Sequence, residues 1–196
     1  MNRLTLTVAA LLITSSAASA HTGIGDTSGF IHGFTHPISG IDHVLAMVAV
    51  GLFAAHLRGR ALWLVPLSFV SMMIVGGAFG MTGVNLPFVE IGIGLSVVVL
   101  GVAVAFGSHI PTAAAMALVA FFAVFHGHVH GAEMPGSASG FEYGVGFVLA
   151  TATLHACGIG LGLLVGRMSD AYDTRILRVT GCSMALAGVA ILTGYI

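Results

Sequence analysis

The sequence predicts an all-α membrane protein, a six-transmembrane-helix bundle after a cleavable signal peptide. Of its 196 residues 57% are hydrophobic and only 7% are charged, whereas about a quarter of a soluble domain is charged. Six apolar runs follow the N-terminal segment, each close to the ~20 residues that cross the hydrocarbon layer. A spanning segment must satisfy its own backbone hydrogen bonds, so these runs are predicted to be helices. A net charge of −1 gives no basic surface for nucleic acid.

The first twenty residues have the three parts of a secretory signal. Arg3 supplies a positive start, residues 4–13 are apolar, and residues 14–20 are small or polar and end Ala18-Ser19-Ala20. This pattern predicts a signal peptide at 1–20 and a six-helix transmembrane domain at 21–196. Cleavage after Ala20 would make His21 the first mature residue, whose amine and imidazole could chelate a metal together.

The arginines predict how the spans are oriented. A cleaved signal leaves the mature N-terminus outside. Every arginine of the mature chain then falls in a cytoplasmic loop, as the positive-inside rule requires. We therefore expect a multi-pass protein of the bacterial inner membrane, with both mature termini in the periplasm. The predicted spans are 37–57, 61–81, 86–107, 110–128, 141–166 and 179–195, and the arginines are Arg58, Arg60, Arg167, Arg175 and Arg178.

Ionisable side chains inside a membrane are costly and mark function, and the first such group lies at the start of span one. Pro37 suits the first turn of a helix, which places His36 just before it. His36 and His43 would share one face if the helix continued through. Asp42 is rotated by ~100° from His43, so one of the pair is expected to orient the other. The alternative is that Asp42 caps or pairs locally at a helix interface.

The second group lies where span four leaves the membrane. His126, His130 and Glu133 are spaced i, i+4 and i+7, which places two imidazoles and a carboxylate on one stripe of a helix. His128 points elsewhere. Neighbouring glycines weaken the helix, so a hydrated, histidine-rich loop is the alternative.

Two further side chains, Glu90 and His155, stand apart from these groups. Glu90 lies one turn into span three with no basic partner in the spans, so we expect it to be protonated, hydrated or metal-bound. His155 lies deep in span five, either as a relay or as a packing residue. The predicted metal-binding residues are His36, Asp42, His43, Glu90, His126, His130 and Glu133, followed by His32, His128, His155 and His21.

Imidazole with carboxylate suits nickel, zinc, copper or cobalt better than magnesium or calcium. This ligand set does not identify the metal, because the affinities of divalent transition metals for such sites follow the Irving–Williams order whatever the ligand type. We expect the ion to be cargo, with no fixed cofactor and no catalytic residue.

The two groups resemble the two signature motifs of the HupE/UreJ family. The pattern H-x5-D-H occupies residues 36–43, and F-H-G-x-V-H-G-x-E occupies residues 125–133. The resemblance extends over essentially the whole chain. It implies a secondary nickel transporter associated with hydrogenase and urease maturation, with some members linked to cobalt. It assigns importance to His36, Asp42, His43, His130 and Glu133.

Two other function classes stay open at this stage. A membrane metal sensor or chaperone would bind the ion without moving it. An intramembrane metalloenzyme would use the same ligands to activate water, but no H-E-x-x-H motif is present. The pattern leaves open a homo-oligomer, a downstream metallochaperone as a partner, and whether transport is passive or proton-coupled.

Overall fold

The structure, a computed structural model, describes residues 29–106, 110–136, 138–167 and 170–195, with backbone alone at 170–174. The predicted signal peptide and His21 lie outside the described residues. Every regular element in the described ranges is a helix. The helices are α1 (Gly29–Ser39), α2 (Ile41–Leu57), α3 (Ala61–Met81), α4 (Val89–Phe106), α5 (Thr112–Ala132), α6 (Gly140–Val165) and α7 (Asp170–Leu192).

The chain is an all-α membrane protein with five to six spans. Among the described residues, α3 to α7 each contain a segment long and apolar enough to cross a membrane, and the bent pair α1–α2 adds a sixth span if it counts as one. Two helices extend beyond the predicted spans. Helix α5 continues to Ala132, so the three histidines of the second group lie inside a helix. Helix α7 begins at Asp170, nine residues before the predicted sixth span at 179.

The first span differs most from the prediction, because it is not one straight helix. Helix α1 begins at Gly29 and contains His36 and Pro37, so Pro37 does not start a helix. The chain bends by 82° between α1 and α2. The break falls at Gly40, whose backbone is extended (φ −90°, ψ 119°) and thus interrupts helical hydrogen bonding. A Cβ atom at Gly40 would come within 2.8 Å of Asp42 Oδ1, so glycine leaves room for that carboxylate.

The helices pack in three close pairs, α3 with α5, α4 with α7 and α2 with α6. Glycines line each contact: a Cβ atom added at Gly127 would overlap the carbonyl of Met73, and one at Gly101 would meet the backbone of Gly181. Small residues let membrane helices approach to backbone contact. Helix α1 packs on the start of α6, where Gly33 faces the backbone of Tyr143.

Alternating helix directions give the bundle two unlike ends. We call the end where α2, α4 and α6 begin the histidine end, and the opposite end the arginine end. The side chains of Asp42, Glu90, Glu133 and Glu142 lie at the histidine end, and Arg58, Arg60 and Arg167 lie at the other.

Candidate metal-binding site

Four histidine rings from three helices meet at the histidine end. The His130 ring centroid lies 4.8 Å from that of His36 and 4.3 Å from that of His43, and His43 lies 4.7 Å from His126. We call His36, His43, His126 and His130 the histidine cluster. His43, His126 and His130 are at most 7% exposed. The bend at Gly40 sets the helix carrying His36 at a steep angle to α2, and His36 and His43 both contact His130.

Asp42 holds His43 in one tautomer. Its Oδ1 accepts hydrogen bonds from the His43 backbone N–H at 2.8 Å and from ring Nδ1 at 2.9 Å. An ionised carboxylate only accepts, so the proton is assigned to Nδ1 and the lone pair to Nε2. His43 Nε2 is buried and has no hydrogen-bond partner in the described part of the chain. The carboxylate thus orients a free ligand nitrogen, as outer partners of metal-binding histidines do.

Ser96 does the same for His126. The Ser96 hydroxyl donates to the carbonyl of Ile93 at 2.6 Å, and its oxygen lies 2.8 Å from His126 Nε2. Since the single hydroxyl proton is already used, the oxygen accepts from Nε2–H. The lone pair of His126 is then on Nδ1, a buried atom for which the described residues offer no partner. Two rings in contact therefore each carry a fixed and unused lone pair.

His130 occupies the centre of the cluster without any hydrogen bond among the described residues. Both of its ring nitrogens are buried and unpartnered. The ring packs against His36, His43 and Phe147, whose ring centroid is 4.1 Å away. Each buried polar atom without a partner costs about 1–3 kcal/mol. A cation bound to the unprotonated nitrogen would remove the cost of that atom.

The described side chains do not form a finished metal cage. Over residues 29–106, 110–136, 138–167 and 175–195, no group of three or more His, Cys, Asp or Glu is arranged to hold an ion as it stands.

The rim of the cluster is more exposed and holds a carboxylate beside a histidine. His36 Nε2 lies 3.0 Å from Glu133 Oε2, with the two side chains 24% and 54% exposed. Glu133 caps the C-terminus of α5, and its backbone N–H still donates to the carbonyl of Val129 at 2.9 Å, as in a continuing helix. His32 stacks on His36, with ring centroids 5.7 Å apart, and its ring lies 6.0 Å from that of Tyr143.

Three candidates lie away from the cluster. His128 points to another side of α5, as expected, where its Nε2 donates to the carbonyl of Val84 at 2.8 Å. Glu90 is exposed in the first turn of α4, and no described hydrogen bond or ion pair joins it to the cluster. His155 is buried deeper in the bundle, beside Phe69.

Ser96, Phe69, Phe147 and Tyr143 surround these histidines and are absent from the predicted set. Ser96 could have been found from the sequence, since it and Glu90 are the two polar side chains in the apolar run of α4. The three aromatic residues could not have been found in this way, because an isolated Phe or Tyr in an apolar span is ordinary.

Comparison with known proteins gives two matches. The chain matches the family described as HupE / UreJ protein over residues 9–191, which includes the histidine cluster. It is similar to Protein HupE of Rhizobium leguminosarum bv. viciae, with 47% identity over 193 residues that cover 98% of each chain. No solved structure matches significantly.

Proposed function

The chain belongs to the HupE/UreJ family, and from this premise we propose that it is a secondary permease that imports a divalent transition metal, most readily Ni²⁺. In this proposal it lies in the inner membrane with both mature termini and the histidine cluster in the periplasm. The metal supplies hydrogenase or urease maturation. The protein does no chemistry on its cargo.

The pair of fixed, unused nitrogens in touching rings carries the proposal. His43 Nε2 and His126 Nδ1 are buried, and each is left unprotonated by a hydrogen bond on the opposite side of its ring. Neutral imidazole nitrogen suits nickel, cobalt, copper and zinc, whereas magnesium and calcium require oxygen. Such a pair favours Ni²⁺ or Co²⁺ over the more abundant hard cations.

The rim supports capture of a hydrated ion. The exposed carboxylate of Glu133 attracts a cation from water and stands beside His36, which contacts the central ring of His130. A route from carboxylate to imidazole would let the ion exchange water for nitrogen stepwise.

The incomplete cage supports transport over storage. A resident metal is held by a closed set of ligands, whereas cargo must be released. Ligands that coordinate the ion one or two at a time bind it weakly enough to release it. The same feature argues against a sensor, which needs a site that stays occupied.

Uptake of radioactive Ni²⁺ by proteoliposomes containing purified protein tests the proposal. We expect uptake by the wild type and a loss of roughly tenfold or more in Glu133→Gln. Glu142→Gln is the matched control, because Glu142 is another exposed acid at the same end and begins a different helix. It should transport at nearly the wild-type rate.

Two results would contradict the proposal. Wild-type protein that binds Ni²⁺ but moves none would be a sensor or chaperone. Equal uptake rates in Glu133→Gln and Glu142→Gln would show that the rim of the cluster does not lie on the transport path. An excess of Co²⁺ or Mg²⁺ in the same assay tests metal preference, and Co²⁺ should compete while Mg²⁺ should not.

A further inference from the structure

A second group of buried side chains lies next to the histidine cluster. It consists of Met73 on α3 and of Thr151 and His155 on α6, and we call these three the inner group. Each of the three is at most 2% exposed. The Thr151 hydroxyl donates to Met73 Sδ at 3.5 Å, which joins α6 to α3.

Of the inner group, His155 lies on the far side of the cluster from the rim, whereas Met73 lies beside the cluster with its carbonyl against Gly127. The backbone of His155 packs against Gly51 of α2. Gly51 is eight residues beyond His43, which is about 12 Å along the helix. One ring, that of Phe69, connects the two groups, with centroids 5.7 Å from His126 and 5.2 Å from His155.

His155 is costly where it stands. Both of its ring nitrogens are buried, and neither has a hydrogen-bond partner in the described part of the chain. Each unpartnered polar atom costs about 1–3 kcal/mol, whereas an apolar side chain of similar size would fill the position at no such cost. Packing alone therefore does not account for an imidazole here.

The chemistry around His155 differs from that at the rim. It offers imidazole nitrogen and thioether sulfur, with one hydroxyl. The described carboxylates all lie at the histidine end. Soft and borderline cations accept nitrogen and sulfur, while hard cations retain oxygen ligands and waters.

We propose that the inner group is a second binding stop for the transported cation, and that it excludes hard divalent ions that the rim admits. This second binding stop, which we call the inner stop, presupposes the proposed function of the chain as a permease. Ni²⁺ or Co²⁺ exchanges the imidazoles of the cluster for His155 Nδ1 or Nε2, with Met73 Sδ as a further contact. Mg²⁺ and Mn²⁺ gain nothing there to replace their water.

The test separates binding at the cluster from movement past it. Ni²⁺ binding is measured on purified protein by equilibrium dialysis, and Ni²⁺ uptake is measured in proteoliposomes. His155→Leu and Met73→Leu should each retain the Ni²⁺ binding that the cluster provides and lose roughly tenfold or more of the uptake rate. Met72→Leu is the matched control, because the adjacent methionine is only partly buried and is not part of the inner group. It should transport like the wild type.

A thiol at position 155 provides a readout that packing would not change. His155→Cys is made in protein that also carries Cys157→Ser and Cys182→Ser, with the double serine variant as its reference. The thiolate is a soft ligand, so uptake should persist and Cd²⁺ should compete with Ni²⁺ more strongly than in the reference.

Each outcome has a clear consequence. If the wild type takes up no ion, the proposed function and the inner stop both fail. If the wild type transports and His155→Leu transports equally well, the inner stop alone is wrong. Should His155→Leu fail to fold, Met73→Leu against Met72→Leu decides, since exchange of Met for Leu conserves volume. Equal rates in that pair would overturn the inner stop.

Discussion

At the scale of single residues, one hydrogen bond decides whether a histidine can bind an ion. A free imidazole exchanges its proton between two nitrogens, so the lone pair has no fixed position. The Asp42 carboxylate fixes it on the inward nitrogen of His43, and the Ser96 hydroxyl fixes it for His126. In the proposed function, Asp42 and Ser96 would each influence the affinity for the metal without touching it.

Asp42→Asn tests this role. The amide oxygen can still accept from the His43 backbone N–H and from Nδ1, so the start of α2 is preserved. The negative charge is lost, which makes Nε2 a weaker donor to a metal. We expect Ni²⁺ affinity to fall by roughly 10- to 100-fold, as measured by isothermal titration calorimetry. An unchanged affinity in well-folded protein would show that the charge does not act through His43.

At the scale of helices, glycines place the histidines. Gly127 lies between His126 and His128 in sequence and presses against the carbonyl of Met73. Gly131, beside His130, presses in the same way on the carbonyl of Gly77. These glycines hold α5 at backbone distance from α3. Glycine has a weak helix propensity, but here it permits a close contact that fixes the height and rotation of His126 and His130.

Gly127→Ala should damage the bundle. The added Cβ atom would overlap a backbone carbonyl, which cannot move aside as a flexible side chain can. We expect a loss of about 1–3 kcal/mol or more, seen as a lower midpoint of thermal unfolding in detergent. Gly160→Ala is the control, since nothing lies within 4 Å of a Cβ atom there. It should match or slightly exceed the wild type, by up to about 1 kcal/mol. A similar loss in both variants would mean that the α3–α5 contact is not the cause.

At the scale of the whole molecule, the charged residues lie toward the two ends. The described acidic side chains lie at the histidine end and the described arginines at the other, where α7 also begins with Asp170 and Asp173 in its first turn. In the proposed orientation, the carboxylates of the histidine end would attract a cation at the entrance, and the arginines would lie in the cytoplasm. An inside-negative membrane potential would then act on the ion in the direction of import.

Transport of Ni²⁺ by facilitated diffusion should respond to that potential. Two charges crossing the membrane gain about 4.6 kcal/mol per 100 mV, from ~2.3 kcal/mol for each charge. Proteoliposomes given an inside-negative potassium diffusion potential with valinomycin should accumulate more Ni²⁺, and an inside-positive potential should suppress uptake. A pH gradient imposed at zero potential should have no effect. Uptake that follows the pH gradient instead would indicate proton coupling.

The local properties of the chain were predictable from its sequence. Hydropathy is a property of each residue, and a spanning segment must bond its own backbone, so the helical membrane class follows without a structure. The family resemblance follows from two short motifs. The orientation, the signal peptide and the cargo stay predictions, and so do the roles of the site residues.

Only the tertiary structure decided how the candidates meet. The bend at Gly40 and the end of α5 at Ala132 pair His36 with Glu133, 97 residues away. They also leave Glu90 and His128 outside the cluster. Ser96 reaches His126 from another helix, and Met73 faces Thr151 from a third. Sequence periodicity gives the faces of a single helix, but the rotation and height of one helix against another depend on close backbone contacts. Those contacts form between residues far apart in the chain, so no local pattern records them.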